Sequence, residues 1–172
     1  MILWVGLGNP GRQYQNTRHN MGEKALWNIL EEKFPVASKK TTTKFNSLIW
    51  ESPEAVFLFP QTFMNLSGNA VGPAMRFYKI PTSAMVVFHD EIDLPEGEIK
   101  YKLGGGHRGH NGLRDIIAKT GSADFHRIRI GVGRPPDERM SVADYVLSKS
   151  SQEPDMPAIR ELLEKNGLFI GQ

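Results

Sequence analysis

Three short runs, "ILWVGL" (2–7), "AVFLFP" (55–60) and "MVVFHD" (85–90), are apolar at nearly every position rather than at alternate ones. A strand with one wet face alternates. A strand that is apolar throughout has to be covered on both faces, as in a parallel sheet sandwiched between helices. The segments between these runs supply the helices. From His19 to Phe34, Met21, Ala25, Leu26, Ile29, Leu30 and Phe34 recur at helical spacing, and Pro35 ends the pattern. A second helix is expected through Ala70, Val71, Ala74, Met75 and Tyr78, capped by Ser67 and stopped by Pro81. "GLRDIIAKTG" (112–121) reads as a third, ending at Gly121, and weaker helical signals follow at 154–166. Three further strands complete the set. "SLIWES" (47–52) turns tightly through Ser52-Pro53-Glu54, "GEIKYKL" (97–103) alternates as an exposed strand does, and "RIRIGVG" (127–133) alternates until Pro135. The expectation is an α/β fold: one domain over residues 1–172, with a twisted, mixed, mostly parallel sheet flanked by helices.

Composition narrows the function. The 172 residues contain no cysteine, which excludes disulfides, a thiolate nucleophile and cysteine-held zinc or iron–sulfur sites. No run approaches the roughly 18 apolar residues of a membrane span. The start "MILWVGLGNPG" lacks the pattern of a secretory leader, so a cytoplasmic protein with no membrane partner is expected. The net charge of +2 is unevenly spread. Residues 96–134 carry 8 Lys and Arg against 4 Asp and Glu, whereas residues 135–172 carry 4 against 7. Such a block can attract a polyanion, although a solvated basic face gives the same count.

Several familiar motifs do not survive their context. Gly6, Gly8 and Gly11 in "GLGNPG" match a dinucleotide fingerprint, but no helix begins at these glycines to receive a pyrophosphate. His107 and His110 form H-x-x-H, and Asp90, Glu91 and Asp93 cluster after a strand. Neither group has the spacing of a known metal site, and no metal or other cofactor is expected. "GGGHRGHNG" (104–112) lacks the Gly-Lys-Ser/Thr ending of a nucleotide-hydrolysing P-loop.

What remains is a set of polar residues placed where α/β folds build their sites, beyond the carboxyl ends of strands. Asn9 follows the first strand, Asn65 follows "AVFLFP", and Asp90 ends "MVVFHD". His19 opens the first helix and Asn111 follows the glycine-rich loop. A histidine oriented by a carboxylate makes a general base near neutral pH, and amides can hold a water or a carbonyl oxygen without adding charge. Each residue alone also has an ordinary structural use, as a helix-start or turn residue. Together they admit a hydrolase site that needs no metal.

Four blocks go further. "VGLGNPGRQYQNTRHNMG" (5–22), "TFMNLSG" (62–68), "HDEIDLPEGEIKYKLGGGHRGHNGLRDI" (89–116) and "FHRIRIGVGRP" (125–135) closely resemble bacterial peptidyl-tRNA hydrolases, in that family's order and approximate spacing. The resemblance covers about residues 1–147. It implies an enzyme that cleaves the ester between a peptide and the 3′ ribose of tRNA without a metal, recycling tRNA from aborted translation. His19 would be the base that activates water and Asp90 the group that orients it, while Asn9 would help to distinguish an N-blocked substrate. Tyr14, Phe63, Asn65 and Asn111 would contact the end of the peptidyl-tRNA, with Met64 nearby and His110 assisting. The candidate phosphate contacts are Lys100, Lys102, Arg108 and Arg129, whose binding would be salt-sensitive and largely blind to sequence.

On this reading "GGGHRGHNG" is a flap whose glycines let the backbone move and approach RNA while it delivers Asn111, with His107 facing solvent. A monomer suffices. Relatives usually carry a longer terminal helix than "PDMPAIRELLEKNGLFIGQ" offers, which bears on contacts to the tRNA body rather than on the site. Two other classes stay open. One is a non-catalytic RNA-binding relative, and the other a small-molecule esterase, whose usual G-x-S-x-G elbow is absent.

Overall fold

The computed structural model describes residues 1–33 and 41–168. Seven strands form one sheet: β1 (Ile2–Gly6), β2 (Thr41–Lys44), β3 (Ser47–Glu51), β4 (Ala55–Pro60), β5 (Met85–Glu91), β6 (Ile99–Leu103) and β7 (His126–Gly131). They lie in the order β2-β3-β4-β1-β5-β7-β6. The central pairings β4–β1, β1–β5 and β5–β7 are parallel, and the outer ones are antiparallel. Five of the seven strands therefore run in one direction, since only β3 and β6 are reversed. The mixed, mostly parallel sheet is as expected.

The both-face burial deduced from the apolar runs is present. Every residue of β4 and β5 is buried. Alternate side chains feed two cores. Trp4, Phe57, Phe59, Val86 and Phe88 pack beneath α1 (Met21–Lys33) and α5 (Met156–Lys165). Leu3, Val5, Val56, Leu58 and Val87 pack beneath α2 (Gly68–Tyr78) and α3 (Asn111–Thr120). A fifth short helix, α4 (Val142–Val146), is capped by Ser141 and follows the proline break. Each fully buried large apolar side chain contributes about 1.5–3 kcal/mol relative to exposure, so these two layers fix the strand ends that carry the polar residues.

Three sequence expectations need correction. Ser67 stands where a cap was expected, but its hydroxyl donates to the Met64 carbonyl at 2.7 Å and caps nothing. The strand Thr41–Lys44 was not foreseen, because "TTTK" carries no apolar signal. Among the described residues it pairs only with β3, at the edge of the sheet. The arginines alternating in β7 are not solvent-facing: Arg127 is 2% exposed, and the Arg129 side chain is largely covered. The first helix is preceded by a short 3-10 turn at Arg18–Asn20, and Phe34 and Pro35, expected to end that helix, lie outside the described residues.

Candidate active site

The helix α1 crosses the carboxyl end of β5 at very close range. A Cβ on Gly22 would overlap the Phe88 carbonyl and the His89 backbone, so only glycine permits this approach. The backbone N–H of Glu23 ties the start of α1 to the Leu7 carbonyl at 3.0 Å. As a result His19, in the turn just before α1, meets Asp90 near the end of β5. The His19 Nδ1 lies 3.0 and 2.9 Å from the two Asp90 oxygens, and both residues are buried.

Asp90 has a second histidine partner. The Nε2 of His110 approaches its Oδ1 at 2.9 Å. On the other side of the same ring, Nδ1 accepts the backbone N–H groups of Gly112 and Leu113, at 3.1 and 3.3 Å. That Nδ1 therefore carries no proton, and Nε2–H is the donor to Asp90. His110 is thus the N-cap of α3 and a support for Asp90 at once. The same logic applied to His19 places a hydrogen on Nδ1, facing the carboxylate, and leaves Nε2 as the nitrogen with a lone pair to offer.

The electrostatics agree with this assignment. Burial works against a charged His19, but the Asp90 charge and hydrogen bond outweigh it, and the His19 pKa is raised above 6.5. Burial likewise opposes an ionised Asp90, yet the two histidines hold its carboxyl well below the usual carboxylate range. Behind them, burial pushes His89 down to about 3, so it is a neutral wall against which the His110 ring packs edge-on at 5.2 Å. The facing atoms of His19, Asp90 and His110 lie within 4.8 Å of one another, close enough to hold a metal ion. Those atoms are already bonded to each other, and an ion would have to replace both ring protons. The carboxylate is thus held between two ring N–H donors.

Asn9 is placed by a residue that the sequence reading overlooked. The Asn20 side chain accepts from the Asn9 N–H at 2.8 Å and donates to its carbonyl at 2.9 Å. The Asn9 Oδ1 accepts the Met64 N–H at 2.7 Å, which leaves Nδ2 as the end of the amide not used in that bond. Met64 contributes through its backbone. Its side chain is only 4% exposed and belongs to the core under α3, contrary to a role in touching substrate. Phe63 is 55% exposed and meets the half-buried Tyr14 ring edge-on, 6.3 Å between centroids, forming an aromatic rim. Asn65 is exposed in the adjacent 3-10 turn, and Asn111 is exposed at the start of α3. A cavity of about 250 Å³ opens beside His19, Asp90, His110 and Asn111, with α4 as its far wall.

Three of the four expected cations lie on the antiparallel β6–β7 pair, where Lys100 is in register with Arg129 and Lys102 with Arg127, and the fourth, Arg108, is in the glycine-rich loop. Lys100 and Arg108 are exposed and Lys102 is half-buried. Arg129 pairs with Glu91 at 3.1 Å. Arg127 was counted only as a surface charge, yet its guanidinium donates to the carbonyls of Gly106 at 2.6 Å, Gly105 at 2.5 Å and Ala123 at 3.2 Å. The base of the glycine-rich loop is therefore pinned from beneath. His107 is half-buried, not solvent-facing, and its Nδ1 accepts the Gly109 N–H. Alternation in a strand hides Arg127, and Asn20 looks like any helix-start amide, so neither gave a signal in the sequence. Among the described residues no helix is long and apolar enough to cross a membrane.

Comparison with known proteins places this geometry. The family model for peptidyl-tRNA hydrolase matches residues 3–168. A peptidyl-tRNA hydrolase of Sorangium cellulosum is 48% identical over 153 residues, covering 86% of this chain and 67% of its own. One from Dichelobacter nodosus is 48% identical over 155 residues, covering 87% and 79%. The crystal structure of peptidyl-tRNA hydrolase from Acinetobacter baumannii superposes with a TM-score of 0.79 at 37% identity, covering 96% of this chain and 82% of that one.

Proposed function

The chain belongs to the peptidyl-tRNA hydrolase family, a family of enzymes, and on that premise we propose that it works by metal-free general-base catalysis. The substrate is an N-blocked peptidyl-tRNA and the bond broken is the ester to the 3′ ribose. The observation that supports this reading best is the Asp90 carboxylate held between His19 and His110, with the His19 Nε2 left to take a proton. A water held at that nitrogen gives up its proton as its oxygen bonds to the ester carbonyl carbon. Asp90 stabilises the imidazolium that forms. Collapse of the tetrahedral intermediate breaks the bond to the ribose oxygen, which receives the proton from His19. A positioned base is worth about 10²–10⁴-fold, and donors aimed at the developing oxyanion add about 10²–10³-fold, so an activated ester needs no covalent intermediate.

Around that centre the other residues divide the work. The Asn9 Nδ2 donors read the blocked amine end, while Asn65 and Asn111 steady the carbonyl and the attacking water. Tyr14 and Phe63 offer an aromatic rim to the terminal base. Lys100, Lys102 and Arg108 meet phosphates, and Arg129 joins them by leaving Glu91 when RNA arrives. His110 acts through Asp90 and through the placement of Asn111 rather than by touching substrate. In this role the protein is a cytoplasmic monomer that returns tRNA from aborted translation.

The test is release of deacylated tRNA from N-acetyl-aminoacyl-tRNA and from its unblocked form, by the native sequence and by His19→Ala. The expected result is cleavage of the blocked substrate alone, lost by about 10²–10⁴-fold in the variant. A folded protein that binds tRNA and cleaves neither substrate would instead be an RNA-binding member of the fold.

A further inference from the structure

A second cavity, of about 430 Å³, is lined by Thr17, Asn20 and Met21 around the Arg18–Asn20 turn, and neither His19 nor Asp90 belongs to its lining. Asn20, the chain neighbour of His19, lines it together with Asn9, and Glu23, Trp27, Gln61 and Gln152 form much of the remainder. Its chemistry is lopsided. Among its lining residues the only ionisable groups are Glu23 and Lys24, and the Lys24 ammonium is already taken by Glu153 at 2.8 Å. The carboxyl of Glu23 sits hard against the backbone of Gly8, where a Cβ would overlap it. Its neighbours there are the Asn20 amide at 3.3 Å and the Trp27 indole, and neither carries charge. Burial pushes this carboxyl up to about 7, so it keeps its proton about half the time near neutral pH and gives it up fully only when a cation comes beside it. Gln152 adds a second acceptor in want of a donor: its Nε2 is used by the Gly131 carbonyl, but its Oε1 is buried without a partner.

The complement of an uncompensated carboxylate and an orphan amide oxygen is a multi-donor cation. Trp27 is locked in place by stacking on Phe59 at 4.1 Å and by an edge contact with Trp50. Its half-buried ring gives an apolar wall along which the methylene stem of such a cation can lie. The volume suits a small amphipathic group. We infer that this cavity is a subsite for an alkylammonium or guanidinium group, supplied by a lysine or arginine side chain of the peptidyl substrate beside the scissile ester. The inference rests on the hydrolase reading, and it makes Glu23 a specificity-determining residue rather than a catalytic one.

Two substrates on the same tRNA isolate the charge: Nα-acetyl-lysyl-tRNA and Nα,Nε-diacetyl-lysyl-tRNA. The native protein is expected to favour the charged substrate by about tenfold in kcat/KM, the scale of one charge-assisted hydrogen bond in a partly buried site. In Glu23→Gln that ratio falls to about one. Asn28→Lys, which introduces an ammonium at the lining of the cavity, removes the preference independently should Glu23→Gln fold poorly. Equal cleavage of both substrates by the native protein overturns the subsite and leaves the hydrolase standing. Cleavage of neither overturns the hydrolase reading itself. If n-butylammonium inhibits competitively while the two substrates are cleaved equally, the cavity takes a free cation and the peptide assignment is overturned.

Discussion

Two loops reach the catalytic crevice, and they are held in opposite ways. The loop after β1, residues 7–20, is tied along its length. Asn9 is gripped by Asn20 and Met64, and Arg18 donates its backbone N–H to the Ser148 carbonyl and places its guanidinium over Tyr145. The Asn16 carbonyl accepts from Ser150, and Lys149 donates to the Gln13 and Gln15 carbonyls. The glycine-rich loop, residues 104–110, is fastened chiefly at its ends, by Arg127 beneath Gly105 and Gly106 and by His110 over α3 and Asp90. Its middle bonds mainly to itself, apart from a loose Arg108–Asp93 pair at 3.8 Å. The proposed general base, His19, cannot tolerate displacement, since an ångström of misplacement can cost about 10²-fold. The glycine-rich loop is left with fewer ties between its anchors. Residues 107–109 are the stretch of the glycine-rich motif with the fewest bonds to the rest of the fold, and a flap, as proposed from the glycines, would have its freedom there.

The largest expected effect breaks the rigid side. Asp90→Asn removes the charge that keeps His19 basic and replaces one of its two acceptor oxygens with an NH2 donor, so turnover falls by about 10²–10⁴-fold. It also leaves burial as the dominant influence on His19, which lowers a pKa that Asp90 had raised. The proposed mechanism requires the unprotonated base, so the acid limb of the kcat/KM profile is expected to shift to lower pH in the variant. An unmoved limb would show that another group sets it.

Next comes the residue that joins the two loops. His110→Ala removes an N-cap worth about 1 kcal/mol and one of the two ring donors on Asp90. A lower melting temperature and about tenfold slower turnover are expected. His110→Asn restores the cap, because asparagine caps well, and should recover the melting temperature but not the rate. Recovery of both would confine His110 to capping.

A smaller effect separates the anchored base of the flap from its free part. Gly105 has φ +98°, and a Cβ there would lie 2.6 Å from the Lys102 Cε. Gly105→Ala should therefore cost about 1–2 kcal/mol and raise KM for peptidyl-tRNA. Gly106 has open space around the same position, and Gly106→Ala should be neutral to within about 0.5 kcal/mol. Equal effects in thermal melts would refute an anchored base. Smallest of all, Lys149→Ala removes one exposed clasp among many, and a loss within about 1 kcal/mol of stability with unchanged turnover is expected.

The legibility of the chain follows the same division. Apolar runs announced β1, β4 and β5 because full burial leaves no polar position to disguise a strand. The pairing of His19 with Asp90 was reachable through strand ends and family resemblance. The second histidine bond to Asp90 was not, because an N-cap is recognised from Ser, Thr, Asp or Asn and His110 is none of these. Arg127 was read as surface charge because composition cannot tell a guanidinium facing RNA from one satisfied by carbonyls. Met64 was misplaced for the converse reason, as its motif carries function through a backbone N–H and leaves the side chain to the core.

One feature of the rigid loop reaches beyond catalysis. The clasp on residues 13–18 comes from Ser148, Lys149 and Ser150, about 130 positions later in the chain. A nascent chain emerging from the ribosome can form β1 and bring α1 to β5 long before those residues are made. It cannot yet fasten the turn that carries the base. Catalytic competence is therefore a late event in synthesis, acquired through contacts of very high sequence separation, which form slowly because a long loop must close first. The first appearance of ester cleavage would time the closing of the chain, and truncation before Ser148 should yield a largely formed sheet with its base unmoored.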